Sequence, residues 1–208
     1  MFRKIVFTGG ACGGKSSIIE ALKNEIDCII SPEPAWIVFG LQQRLNIKIN
    51  SYNRQHFIFN LHLLFEYWAE ENAQKSKIIL MDRSIIDNSV FTKNEQYKYL
   101  MDRYQIDQYE IFNNYSAIIY CESIAHSKPN EFLKLRPFAD VDKTKEIDTM
   151  LVKAYKNCKC FLHNYESKLQ NRINKCFNLL ENLQIAETSM HKLINNKSLK
   201  LYSKIQKR

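Results

Sequence analysis

Gly9-Gly10-Ala11-Cys12-Gly13-Gly14-Lys15-Ser16 fits G-x-x-x-x-G-K-[ST], the pattern of a phosphate-binding loop. Its flanks are those the pattern requires. Arg3-Lys4-Ile5-Val6-Phe7-Thr8 is a β-branched and aromatic strand, and Ser17-Ile18-Ile19-Glu20-Ala21-Leu22 opens an amphipathic helix. Glycines let backbone N–H groups crowd around an oxyanion, and the helix N-terminus adds positive potential at the same point. The residues expected to touch nucleotide are therefore Gly10, Ala11, Cys12, Gly13, Gly14, Lys15, Ser16 and Ser17. Lys15 reaches for the β- and γ-phosphates, and Ser16 is the first candidate ligand for Mg²⁺.

A second carboxylate completes the pattern further along. Lys77-Ile78-Ile79-Leu80-Met81 is apolar throughout, as a parallel strand covered on both faces should be. It runs into Asp82-Arg83-Ser84. An acid directly after a buried strand holds Mg²⁺ through its water shell in nucleotide-binding folds of this kind, so Asp82 joins Ser16 as a metal candidate. Arg83 offers a planar fork to a phosphate or a substrate group.

Between these stretches, Asp27-Cys28-Ile29-Ile30-Ser31 reads as a strand that ends in Pro32-Glu33-Pro34. Two prolines so close argue against helix there. They hold Glu33 at the carboxyl edge of the sheet, where open parallel sheets bind ligands. A helix is expected from Trp36 to Leu45. A long one follows from Ser51 to Ala73, with Phe57, Leu61, Leu64, Phe65 and Trp68 forming an apolar stripe expected to face the core. Gln55 and His56 at its start are polar residues that a ligand could meet.

Residues 85–112 read as helix in two pieces, and Tyr115–Tyr120 as a fourth strand. Residues 122–145 have no apolar period and contain Lys128, Pro129, Lys134, Arg136 and Pro137. A basic, proline-broken segment suits a lid over phosphates. Arg136 is the candidate lid cation. Helices over 144–156 and 167–183 flank a fifth strand at 160–163, and Arg172 on the last helix is a candidate contact to adenine or phosphate. Strands alternating with helices imply a three-layer α/β/α domain with a five-stranded parallel sheet, order 2-3-1-4-5.

The chain has 208 residues, 45% of them hydrophobic, and a formal net charge of +8. That length fits one domain over 1–187, with a basic helix or tail over 188–208. Lys192, Lys197, Lys200, Lys204, Lys207 and Arg208 carry part of the charge excess. No run of 18 apolar residues suggests a membrane span. Met1-Phe2-Arg3-Lys4 leads straight into the first strand, so a cytoplasmic location is expected. Six scattered cysteines suit thiols in a reducing compartment.

A switch GTPase needs N-K-x-D and D-x-x-G motifs, and Asn195-Asn196-Lys197-Ser198 and Asp82-Arg83-Ser84-Ile85 fit neither. A mechanical ATPase needs a larger chain. A small-molecule kinase makes the best use of Glu33, as base for an acceptor hydroxyl, with Lys15, Arg83, Arg136 and Mg²⁺ holding charge. The rival readings are a nucleotide-binding regulatory or adaptor protein and a polynucleotide 5′-hydroxyl kinase. ATP or GTP with Mg²⁺ is the expected cofactor, and a homodimer is compatible with all three.

Pro32-Glu33-Pro34 with Trp36, and Asp82-Arg83-Ser84 followed by Phe91, resemble the E-P and E-R-S motifs of deoxyribonucleoside kinases. That resemblance implies Glu33 as base and Arg83 as its helper, although the arginine-rich lid of that branch is reduced here to Arg136. Over residues 3–183 the chain is similar to the ribosylnicotinamide kinase domain of bacterial NAD regulators and related AAA-type proteins. Thr8-Gly9-Gly10-Ala11-Cys12-Gly13-Gly14-Lys15 resembles their T-G-G-x-x-x-G-K, and Asp82-Arg83-Ser84-Ile85-Ile86-Asp87 their D-R-x-x-x-D. This resemblance implies phosphoryl transfer from ATP to a nucleoside-like metabolite, beneath a lid with one arginine, although some members of that branch bind GTP or lipid instead.

Overall fold

Strand residues of alternating direction feed two separate cores, and this sets the three-layer architecture. A computed structural model describes residues 3–73, 78–158, 161–164 and 168–182. Strands β1 (Arg3–Thr8), β2 (Ile29–Ser31), β3 (Ile78–Asp82), β4 (Tyr115–Cys121) and β5 (Phe161–Asn164) pair in parallel in the order 2-3-1-4-5. Ile5, Phe7, Leu80 and Ile119 point to one face, where α1 (Lys15–Lys23) and α9 (Leu169–Asn182) cover them with Ile18, Leu22, Ile173 and Leu180. Val6, Ile79, Met81 and Ile118 point to the other, beneath α3 (Ser51–Asn72), α5 (Asn94–Arg103) and α8 (Val141–Tyr155). The expected fold and strand order are both present.

The remaining helices are α2 (Pro34–Arg44), α4 (Asn88–Phe91), α6 (Gln108–Asn114) and α7 (Pro129–Leu135). Three local expectations are corrected. Pro34 does not keep helix away: it occupies the first turn of α2, where a missing N–H costs nothing and the ring presets φ. The segment expected as two helices is a 3₁₀ turn (Ile85–Asp87) plus α4, α5 and α6. Its breaks coincide with Thr92 in extended backbone and Gln105 at positive φ. The proline-broken lid contains α7, anchored by fully buried Phe132.

The fourth correction concerns α3. Its buried face is Ile58, Phe59, His62 and Ala69. Phe57, Leu64 and Trp68 of the expected core stripe are 52%, 56% and 50% exposed while Leu61 and Phe65 are half-buried, so most of the stripe faces away from the sheet. Both faces of this helix carry apolar residues at helical spacing, and periodicity alone does not say which one meets the sheet. Phe59→Ala is therefore expected to cost about 3–5 kcal/mol in denaturant unfolding. Phe57→Ala should stay within about 0.5 kcal/mol.

The basic segment 188–208 and the domain boundary before it lie outside the described residues. So do Lys77, Cys160, Ser167 and Leu183 at the ends of expected elements. Among the described residues no helix is long and apolar enough to cross a membrane.

Candidate functional site

The carboxyl ends of β1, β2 and β3 carry the chemistry. After β1 the chain turns through Gly9, at φ 134°, and Cys12, at φ 58°, then enters α1 behind Gly14 at φ 81°. A left-handed cysteine is unusual for a residue with a Cβ and marks a loop shaped by its surroundings. Those surroundings are polar clamps. Arg172 donates through Nη1 to the carbonyls of Gly13 (2.7 Å) and Glu122 (2.6 Å). Ser123 donates through Oγ to the carbonyl of Ala11 at 2.6 Å. The Gly10 N–H donates to Asp148 at 2.6 Å.

Two sequence expectations change with this geometry. Arg172 is buried and braces the loop from behind; it does not line the open cavity. Gly10 directs its N–H to a protein carboxylate, away from any incoming phosphate. Ala11, Cys12, Gly13, Gly14, Lys15, Ser16 and Ser17 line the cavity.

Lys15 is buried, and its ammonium donates to the carbonyls of Gly9 (3.0 Å) and Gly10 (2.9 Å). Burial, then the neighbouring Arg83 charge, push its pKa below the usual lysine range, while Asp82 and Glu33 pull it back up. Ser16 Oγ donates to Asp82 Oδ2 at 2.7 Å. The other oxygen, Oδ1, is buried without a hydrogen-bond partner. Burial raises the Asp82 pKa against the pull of Lys15 and Ser16. A hydroxyl beside an orphaned carboxylate oxygen is a donor set suited to Mg²⁺ and its waters.

Glu33 caps α2 with its backbone, and its side chain turns to the sheet edge instead of the helix. Arg83 Nε donates to Glu33 Oε1 at 2.7 Å. Arg83 sits at φ 75°, a conformation that L side chains rarely adopt. Its guanidinium lies over Phe91 at 5.1 Å, and its Nη1 is 4.0 Å from Asp87. Burial works against the Arg83 charge, but Asp87, Glu33 and Asp82 outweigh it and hold the pKa above the ordinary arginine value.

Asp87 in turn accepts from Thr8 Oγ1 at 2.5 Å and from the Ser84 N–H at 3.1 Å, closing a capping box around the turn. Burial raises its own pKa. Behind Arg83, His62 is buried on α3. Burial, then the Arg83 charge, lower its pKa to about 3 and keep the ring neutral.

One cavity of about 450 Å³ gathers the loop, Glu33, Ala35, Trp36, Phe39, Arg83 and Arg136. Arg136 follows α7 and places its guanidinium 5.5 Å from the Trp36 ring centre, so the lid touches α2 across the mouth. Phe39 is backed by Arg54 at 5.3 Å. Gln55 and His56 are not among the lining residues, although Gln55 Oε1 is buried without a partner. The structure thus brings Lys15, Ser16, Glu33, Arg83 and Arg136 to one cavity, with Asp82 against Ser16.

Sequence reading gave no role to Thr8, Asp87, His62 or Asp148. Thr8 and Asp87 stood inside quoted motifs as their outer letters. Asp148 had a legible signal: it lies on the stripe Thr144, Asp148, Leu151, Tyr155 that α8 buries, where an acid needs a partner.

Residues 4–172 match the AAA_28 family, described as an AAA domain. The chain belongs to that family. No curated protein matches this AAA domain by sequence. Among solved structures it is similar to a NadR protein in complex with NAD and AMP-PNP, at 11% identity and a TM-score of 0.63. The match covers 90% of this AAA domain and 51% of that chain. A NadR protein in complex with NR gives 10% identity and a TM-score of 0.63, covering 89% and 52%. The chain therefore spans about half the length of these NadR chains. Deoxyadenosine kinase from M. mycoides, with dCMP and dCDP bound, gives 15% identity and a TM-score of 0.61, covering 86% and 99%. The fold of this AAA domain is that of P-loop kinases.

Proposed function

We propose that the protein is a Mg²⁺-dependent phosphotransferase. It moves the γ-phosphoryl of ATP, or GTP, to a hydroxyl of a small nucleoside-like metabolite. The observation that carries this reading is Glu33. A carboxylate seated by Arg83 at 2.7 Å, in the same cavity as the phosphate loop, has little use in a protein that only holds nucleotide. It suits a base that faces an acceptor.

Arg83 fixes Oε1 of Glu33, and Oε2 is the atom we assign to the acceptor hydroxyl. As the acceptor oxygen bonds to the γ-phosphorus, the bond to the bridging β–γ oxygen breaks and the hydroxyl proton passes to Glu33. Lys15 reaches the phosphates from its seat beside the Gly9 and Gly10 carbonyls, and Arg136 brings a second cation from the lid. Ser16, with water on Asp82, would hold Mg²⁺, which would supply neutralisation of phosphate charge there. Trp36 and Phe39 give flat apolar walls for a base.

The test is ADP or GDP release over a panel of nucleosides and ribosylated metabolites with Mg²⁺. Acceptor-dependent release is expected. Tight nucleotide binding with no release across the panel would favour the regulatory reading.

A further inference from the structure

We propose that Asp148 is a positioning residue that fixes the seat of Lys15 and so couples α8, the helix that follows the lid arginine, to the phosphate loop. It rests on the reading of the loop as a nucleotide cradle and adds a residue from the far side of the site. Asp148 lies on α8, is 1% exposed and does not line the cavity. Its Oδ1 accepts from the Gly10 N–H at 2.6 Å. Its Oδ2 accepts from the Ser123 N–H at 3.0 Å and lies 3.1 Å from His126 Nε2.

The coupling runs through a single peptide plane. The Gly10 N–H and the Gly9 carbonyl belong to the same peptide group, and a planar trans peptide points them in opposite directions. Asp148 holds one end of that plane, and Lys15 Nζ donates to the other at 3.0 Å. An anion on the N–H side polarises the carbonyl toward the cation, so the two charges support one orientation of the peptide. A flip of this plane would turn an N–H toward the ammonium. Glycine is needed at position 10 because a Cβ there would stand 2.8 Å from Asp148 Oδ1.

Helix α8 carries a second tie two turns further on. Tyr155 Oη is hydrogen-bonded to Ser84 Oγ at 2.6 Å, next to Arg83. The helix that follows the lid arginine is thus bonded to the phosphate loop at one point and to the Asp82-Arg83-Ser84 segment at another. Ser123 adds a third link, since its N–H meets Asp148 while its Oγ meets the Ala11 carbonyl.

The test compares Asp148→Asn with the native chain by calorimetric titration of Mg·ATP and Mg·GTP, alongside thermal melting and acceptor KM. In the variant one acceptor oxygen becomes an NH₂ donor and the negative charge is lost, so the anion that polarises the Gly9–Gly10 peptide toward Lys15 is gone even where the amide oxygen still meets the Gly10 N–H. The nucleotide affinity should fall at least tenfold, with the acceptor KM unchanged. An affinity within twofold of native, whatever the melting temperature does, overturns the inference and leaves the proposed function standing. A native chain that binds neither nucleotide overturns both. Should Asp148→Asn fail to fold, Gly10→Ala crowds the same hydrogen bond with the carboxylate still in place. The same tenfold loss is expected there, and native affinity overturns the coupling.

Discussion

Replacing Glu33 by Gln is expected to slow phosphoryl transfer by about 10²–10⁴-fold while nucleotide affinity stays close to native. Gln fills the same volume and keeps a carbonyl oxygen that Arg83 Nε can still meet, so the 2.7 Å contact and the wall of the cavity survive. What disappears is the capacity to accept a proton. Nucleotide binding is the work of the loop and Lys15, so calorimetric titration of Mg·ATP separates the two effects. Steady-state ADP release with a productive acceptor gives the rate. Turnover within a few-fold of native would remove Glu33 from the role of base and leave it as a partner for Arg83. The matching change, Arg83→Lys, should also be costly. An ammonium cannot reproduce the fork that reaches Glu33 while lying over Phe91 and facing Asp87.

The parts of this molecule that were legible beforehand are those in which chemistry and local backbone coincide. The loop at 9–16 is contiguous, so its glycines, Lys15 and Ser16 announce themselves. Glu33 and Asp82 each stand at a strand end, and parallel topology takes strand ends to one edge, which is why two acids far apart in sequence could be placed together. What was hidden depended on rotation about an axis or on long-range partners. Helix α3 carries apolar residues on opposite faces, and only the sheet decides that Phe59 goes in and Phe57 stays out. Arg172 carried a charge with no stated partner, and a nucleotide was a reasonable guess until the carbonyls of Gly13 and Glu122 were seen to claim it. Gly10 was assigned to phosphate because the pattern includes it, yet its N–H belongs to Asp148, 138 positions away.

Lys15→Met should have the other large effect. The native ammonium rests between the Gly9 and Gly10 carbonyls, buried, with Asp82, Glu33 and Arg83 all near enough to move its pKa. Met keeps most of the stem and removes the charge, so the loop loses the one cation built into it. Transition-state stabilisation by a preorganised charge in a dry site is worth about 10²–10³-fold or more. Turnover is therefore expected to fall at least that far, and Mg·ATP affinity should fall with it, since Lys15 acts on bound phosphates as well as on the transferred group. Glu33→Gln lowers turnover alone, and this contrast distinguishes a base from a phosphate cation. Lys15→Arg should not restore activity. The seat between two carbonyls fits a compact ammonium, and a planar fork cannot reproduce both contacts. Single-turnover phosphoryl transfer, measured beside nucleotide titration for both variants, checks each step. A Lys15→Met protein with native affinity and turnover within tenfold of native would mean that the loop holds something other than a triphosphate, and Glu33 would then have no phosphoryl group to serve.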